Sequence, residues 1–145
     1  LARGVFHWVL AFSDSGLSTP VVYRTLDQHR ADHAADLSPV PERVSVDTAV
    51  LQAVRAGDAE TLADSMHNDL QAAALRLAPE LTDLLELGES RGALAGIVSG
   101  SGPTIAFLVA DAPAAAELQS TLTRAGVRSL TVTGPVPGAR RLDAH

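Results

Sequence analysis

At 145 residues the chain is long enough for one domain with a buried core. Its 46% apolar and 19% charged residues describe a globular protein, and its formal charge of −6 argues against a nucleic-acid or anionic-membrane binder while leaving room for a local basic pocket. Cysteine is absent, which excludes a disulfide frame and a thiolate site, and no apolar run approaches the length of a membrane span.

The chain starts at Leu1 and enters a strand-like run at once, without a recognisable leader. That start reads as the second half of a longer protein. "VFHWVLAF" (residues 5–12) is β-branched and aromatic and predicts a buried strand, with His7 and Trp8 on opposite faces. After the loop "SDSGLS", "TPVVYRTLDQHR" (19–30) predicts a helix, with Thr19 placed to cap it and Pro20 at its first position. Residues 31–43 read as a Pro-containing connection. Helical spacing follows over 46–56, stopped by Gly57, and over 59–78, capped by Asp58 and broken near His67-Asn68. A further helix is expected over 79–90, where Leu81, Leu84 and Leu85 mark a core face.

The last third changes period. Residues 93–99 and 104–110 predict two strands around a Gly-rich link. Asp111 is placed to cap a helix to residue 125, Gly126 ends it, and 127–134 is a final strand before a tail. Four strands, with the two central ones in a hairpin, and about five helices predict an α+β fold in one domain over residues 1–145.

The link "SGSGPT" (99–104) carries more glycine and hydroxyl than a hairpin requires. Its glycines can supply positive φ to a turn, or its small residues can present several N–H groups to one anion. It lacks the lysine of a Walker loop and runs into a strand, so no helix dipole assists it. Tyr23 lies one helical turn after Thr19 on the same side. It can stack on a planar base or stand half-buried with its hydroxyl in water. His29 and His33 have i,i+4 spacing without a third ligand, and His67-Asn68-Asp69 reads as a helix break held by side-chain-to-backbone bonds. Asp14 and Asp32 show no partner, the Arg140-Arg141 pair reads as solvated, and no nucleophile–base pair emerges.

The order of these segments resembles the C-terminal half of the GHMP superfamily of small-molecule kinases. The resemblance is carried by "FHWVLAFSDSGLSTPVVYRTLD", "GDAETLADSMHNDLQAAALRLAPEL", "GALAGIVSGSGPTIAFLV" and "TGPVPGARRL". "SGSGPT" is similar to the superfamily's third motif, and "GLSTPVVY" narrows the match to the members acting on a cytidyl-diphosphate small-molecule substrate. The resemblance implies a ferredoxin-like, antiparallel four-stranded sheet. It implies that Thr19, Pro20 and Tyr23 line the substrate site, with Tyr23 stacked on cytosine. It implies that Gly100, Ser101, Gly102, Pro103 and Thr104 lie against a phosphate-binding loop, and that Asn68, in the "NDL" segment, gives structural support. The implied reaction is ATP-dependent phosphorylation of a substrate hydroxyl, with Mg²⁺, in a cytoplasmic enzyme of non-mevalonate isoprenoid biosynthesis.

The departures are large. The Gly-rich P-x-x-x-G-L-G-x-G-S-S loop, the family's lysine and its acceptor-side aspartate are absent. This chain is therefore expected to supply one wall of the site, with no catalytic residue, no metal ligand and no phosphoryl transfer of its own. An N-terminal ATP-binding domain is the expected partner, and neither nucleic acid nor membrane is. Another GHMP kinase with a homoserine- or mevalonate-type acceptor, or a stand-alone ferredoxin-like module, are the alternatives that fold alone leaves open.

Overall fold

The first strand reads as almost continuously apolar because the sheet it enters is covered on both faces. The structure, a computed structural model, describes residues 3–32 and 47–138. In β1 (Phe6–Phe12) Val9 and Ala11 face one core, while Phe6 and Trp8 face another. The pleat sends successive side chains to opposite sides, so a strand serving two cores has no polar face to spare. His7 lies on the Val9 side, opposite Trp8, as the alternation requires.

Next come α1 (Thr19–Asp32), α2 (Thr48–Ala56), α3 (Ala59–Ser65), α4 (Gln71–Leu77) and α5 (Glu80–Ser90). The hairpin β2 (Ala95–Val98) and β3 (Ile105–Val109), then α6 (Ala112–Arg124) and β4 (Arg128–Gly134), complete the described chain. The strands form one sheet in the order β2-β3-β1-β4, with every pairing antiparallel. Val9 stands opposite Phe107 on one side and Thr131 on the other. This is the ferredoxin-like order the family resemblance implied.

The larger core lies between one sheet face and four helices. Val22 and Leu26 of α1, Ala73 and Ala74 of α4, Leu81 and Leu85 of α5, and Leu118 and Leu122 of α6 close over Val9, Ile105, Phe107 and Val109. Phe107 is fully buried because two glycines make room for it. A Cβ on Gly96 would sit 2.8 Å from both Phe107 Cε1 and Leu85 Cδ2, and one on Gly88 would overlap the Phe107 ring. The helix α5 can therefore lie close against the β2–β3 hairpin. The smaller core, on the opposite face, joins Ala53 of α2 and Leu62 of α3 to Phe6 and Leu108.

Local punctuation explains most element boundaries. Gly57 takes φ 74° and ends α2, and its N–H bonds Ala53 O. Asp58 and Asp111 accept from Thr61 N and Ala114 N and cap α3 and α6. Three expectations need correction. The described helices number six rather than about five, because the polar break at 67–68 divides the middle stretch completely into α3 and α4. The cap of α1 is one residue earlier than Thr19. Ser18 O accepts from both Val21 N and Val22 N, at 2.9 and 3.0 Å, so Pro20 is the second helical residue. The hairpin strands are shorter than read: the link claims Ser99 and Thr104, and at the far ends β2 begins only at Ala95 and β3 stops at Val109. Helix α1 also runs on to Asp32. The predicted connection beyond it, including His33, and the Arg140-Arg141 pair lie outside the described residues.

Candidate functional site

The β2–β3 link folds on itself before it meets anything else. Ser99 N donates to Thr104 O at 2.8 Å, and Gly102 N donates to Ser99 O at 3.0 Å. Gly100 and Gly102 have φ of 58° and 77°, the left-handed region where a Cβ is costly. Gly102 is doubly constrained, since a Cβ there would lie 3.1 Å from Leu17 Cδ1 and from Val98 Cγ1. Pro103 and Thr104 are half-buried and lead into the fully buried Ile105.

The start of α1 comes against this link. Thr19 Oγ1 and Ser101 Oγ are 2.8 Å apart, a hydroxyl–hydroxyl hydrogen bond across 82 residues. The Thr19 hydroxyl is therefore free of the capping task predicted for it. Pro20 is exposed beside it, and Tyr23 follows one turn later on the same helix face, 53% exposed. The Thr19–Ser101 bond thus joins two predicted groups separated by most of the chain, α1 at Thr19, with Pro20 and Tyr23 on the same helix, and the link at Ser101. A tyrosine more than half exposed on the first turns of a helix can offer a stacking face.

Behind the link stands Asn68, in the turn between α3 and α4. Its Nδ2 donates to Val98 O and to Gly100 O, both at 2.7 Å, and its Oδ1 accepts from Leu70 N at 3.0 Å. The local bond to Leu70 is the kind expected at a helix break, whereas the two long-range bonds are not visible in the sequence. Gln71 and Glu89 continue the pattern. Val98 N donates to Gln71 Oε1 at 2.9 Å, and Gly96 N donates to Glu89 Oε1 at 3.1 Å. Strand β2 is at the sheet edge, where backbone groups lack a neighbouring strand. Side chains of the helical layer satisfy them instead. Gln71 and Glu89 were missed because an amide or a carboxylate near a helix end ordinarily signals solvation or capping.

The remaining polar groups are separate from this surface. Asp69 pairs with Arg30 at 3.1 Å, and Asp14, which shows no partner in the sequence, pairs with Arg128 at 3.3 Å between two exposed side chains. Glu80 accepts a hydrogen bond from Ser15 Oγ, and this bond holds its carboxyl below the ordinary value. A cleft of about 320 Å³ between β1 and α5 is lined by Phe12, Asp14, Glu80, Asp83, Leu84 and Val127. Its three carboxylates make it unfavourable for a phosphate-bearing ligand. Among the described residues no three His, Asp or Glu side chains converge to hold a metal, and no helix is long and apolar enough to cross a membrane.

Comparison with known proteins bears on the family and the fold. Residues 50–128 match the family model described as "GHMP kinases C terminal". Over 143 residues the chain is 58% identical to a 4-diphosphocytidyl-2-C-methyl-D-erythritol kinase of Leifsonia xyli subsp. xyli, covering 99% of this chain and 47% of that protein. A protein of the same name from Clavibacter michiganensis subsp. michiganensis is 58% identical over 140 residues, covering 97% of this chain and 45% of its own. The crystal structure of a 4-(cytidine 5'-diphospho)-2C-methyl-D-erythritol kinase superposes with a TM-score of 0.68 at 26% identity, over 92% of this chain and 44% of that one. The L. major mevalonate kinase structure reaches the same TM-score at 17% identity and shows the shared fold only. The chain spans somewhat under half the length of the relatives it matches.

Proposed function

Because the chain belongs to the GHMP kinase C-terminal family, we propose that it is the substrate-side portion of an ATP-dependent kinase acting on 4-diphosphocytidyl-2-C-methyl-D-erythritol. The names of its 58%-identical relatives support that substrate. In the structure, the observation that carries the reading is the Thr19–Ser101 contact, which joins the Tyr23-bearing helix to the Gly-rich link. In this reading the Tyr23 ring stacks on the cytosine, Thr19 offers its hydroxyl to the substrate, and Pro20 fixes the start of the helix that bears both. The link, from Gly100 to Thr104, forms a low, side-chain-poor wall against which a phosphate-holding loop can close.

The chain contains no lysine and none of the Gly-rich P-x-x-x-G-L-G-x-G-S-S loop to which the family resemblance assigns the ATP phosphates. Phosphoryl transfer needs charge neutralisation over the γ-phosphate and a positioned acceptor. ATP, Mg²⁺ and those groups therefore belong, in this proposal, to the remainder of a cytoplasmic enzyme of non-mevalonate isoprenoid biosynthesis. Phosphorylation falls on the 2-hydroxyl of the methylerythritol.

Steady-state kinetics of the full-length enzyme carrying Tyr23→Ala test the proposal. Base–aromatic stacking contributes about 1–3 kcal/mol, so KM for the cytidyl substrate should rise by roughly 5- to 150-fold. KM for ATP should stay within about twofold. An equal change for both substrates would rule out stacking on cytosine.

A further inference from the structure

We propose that Asn68 is a positioning residue: its amide clamps the Ser99–Thr104 link from behind and thereby sets the Ser101 hydroxyl that holds Thr19. The inference rests on the substrate-site reading above and adds to it a residue that belongs to neither α1 nor the link. Three contacts on three backbone groups fix the orientation of the amide. Nδ2 lies 2.7 Å from two carbonyl oxygens, Val98 O and Gly100 O, and Oδ1 lies 3.0 Å from Leu70 N. Only one amide orientation puts donors on both carbonyls and an acceptor on the N–H. Both N–H bonds of the amide are then spent around Ser99, one on the last residue of β2 and one on Gly100 of the link.

The geometry makes this more than a local turn ahead of α4, whose cap is Leu70. Such a turn needs only the oxygen facing Leu70 N. The two amino contacts are 30 and 32 residues away in sequence. They tie down the carbonyl immediately before Ser101, and with it the peptide plane that carries the Ser101 Cα. Ser101 Oγ in turn meets Thr19 Oγ1 at 2.8 Å. Gln71 and Glu89 hold the strand leading into the link, at Val98 N and Gly96 N, so Asn68 is the contact that reaches the link itself.

Asn68→Asp separates the clamp from the local turn. One carboxylate oxygen still accepts from Leu70 N, while the other faces two carbonyl oxygens with no hydrogen to share. Asn68→Ser is the second variant, since a hydroxyl can still accept from Leu70 N but does not bridge both carbonyls. In the full-length enzyme, amide hydrogen exchange of peptides covering 99–104 should quicken at least tenfold in either variant, with β1 peptides unchanged. KM for the cytidyl substrate should rise on the order of 10- to 100-fold, the scale of a small misplacement of a binding group, while KM for ATP stays within about twofold. Adding Thr19→Val to Asn68→Asp should cost less than a further twofold, because the clamp acts through that hydroxyl. Unchanged exchange in the link overturns the inference. So does quickened exchange with wild-type kinetics, or a double variant whose losses multiply. If the unsubstituted enzyme does not act on the cytidyl substrate, the proposed function fails instead, and the exchange measurement still decides the clamp.

Discussion

Substituting alanine for Gly102, and separately for Gly100, distinguishes two reasons for a glycine within one short link. Both residues have positive φ, 77° and 58°, so each alanine pays for a left-handed conformation, about 1–2 kcal/mol. Some of that is returned because alanine leaves the unfolded chain less freedom, about 0.4–1 kcal/mol. At Gly100 a Cβ meets nothing within 4 Å, so the net cost should be about 1 kcal/mol or less. At Gly102 a Cβ falls 3.1 Å from Leu17 Cδ1 and 3.1 Å from Val98 Cγ1, inside the carbon–carbon optimum of about 3.5–4.0 Å. Leu17 can swing aside, but Val98 is 1% exposed and packed in the sheet. Overpacking of this kind adds about 1–3 kcal/mol, which makes Gly102→Ala roughly 1–4 kcal/mol destabilising in sum. At about 3 °C per kcal/mol for a chain of this length, the melting temperature should fall by about 3–12 °C, against about 3 °C or less for Gly100→Ala. Urea denaturation should show the same ranking with an unchanged m-value. Equal midpoints for the two variants would refute the packing argument, and no loss in either would refute the backbone argument as well.

Two further outcomes test the frame around the site. Gly88→Ala drives a methyl into the Phe107 ring and should destabilise the chain by about 1–3 kcal/mol. Combining it with Phe107→Leu should cost less than the sum of the two single variants, as a double-mutant cycle of unfolding free energies will show. The Asp58 carboxyl is held below its ordinary value, first by the side-chain hydrogen bond from Thr61 and then by Thr61 N. A lowered folded pKa means that the ionised form is the stabilising one. The stability lost in Asp58→Ala should therefore be greatest above about pH 4 and shrink as pH falls through the lowered value. A difference between the two proteins that does not vary from pH 7 to pH 2.5 would contradict the assignment.

What could be read from the sequence follows from the range of the interactions involved. Gly57, Asp58, Asp111 and Gly126 act on backbone groups within four residues of themselves, so caps and stops were readable without knowing the fold. The break at His67-Asn68 was readable for the same reason: polar residues interrupt an apolar period. The apolar and aromatic run of β1 marked a buried strand, though not that both its faces are covered or that α2 and α3 supply the second cover. Thr19 shows where such reading fails. A threonine before a proline at a helix start has the local signature of a cap, yet Ser18 already supplies the capping carbonyl. The Thr19 hydroxyl is used 82 residues away.

The support of the link was hidden for a related reason. Strand β2 is at the sheet edge, and the donors and acceptors along its outer side are met by Asn68, Gln71 and Glu89 rather than by another strand. Each of those side chains stands at or near a helix end, where the same residue types commonly bond only to their own helix. Nothing in their spacing separates a capping amide from a clamping one. The distinction arises only when the order β2-β3-β1-β4 brings the hairpin beside the α3–α4 turn. A link rich in glycine and serine has little side-chain mass with which to hold its own shape. Its own backbone bonds are therefore supplemented from the helical layer, by Thr19 on the Ser101 hydroxyl and by Asn68 on the Gly100 carbonyl.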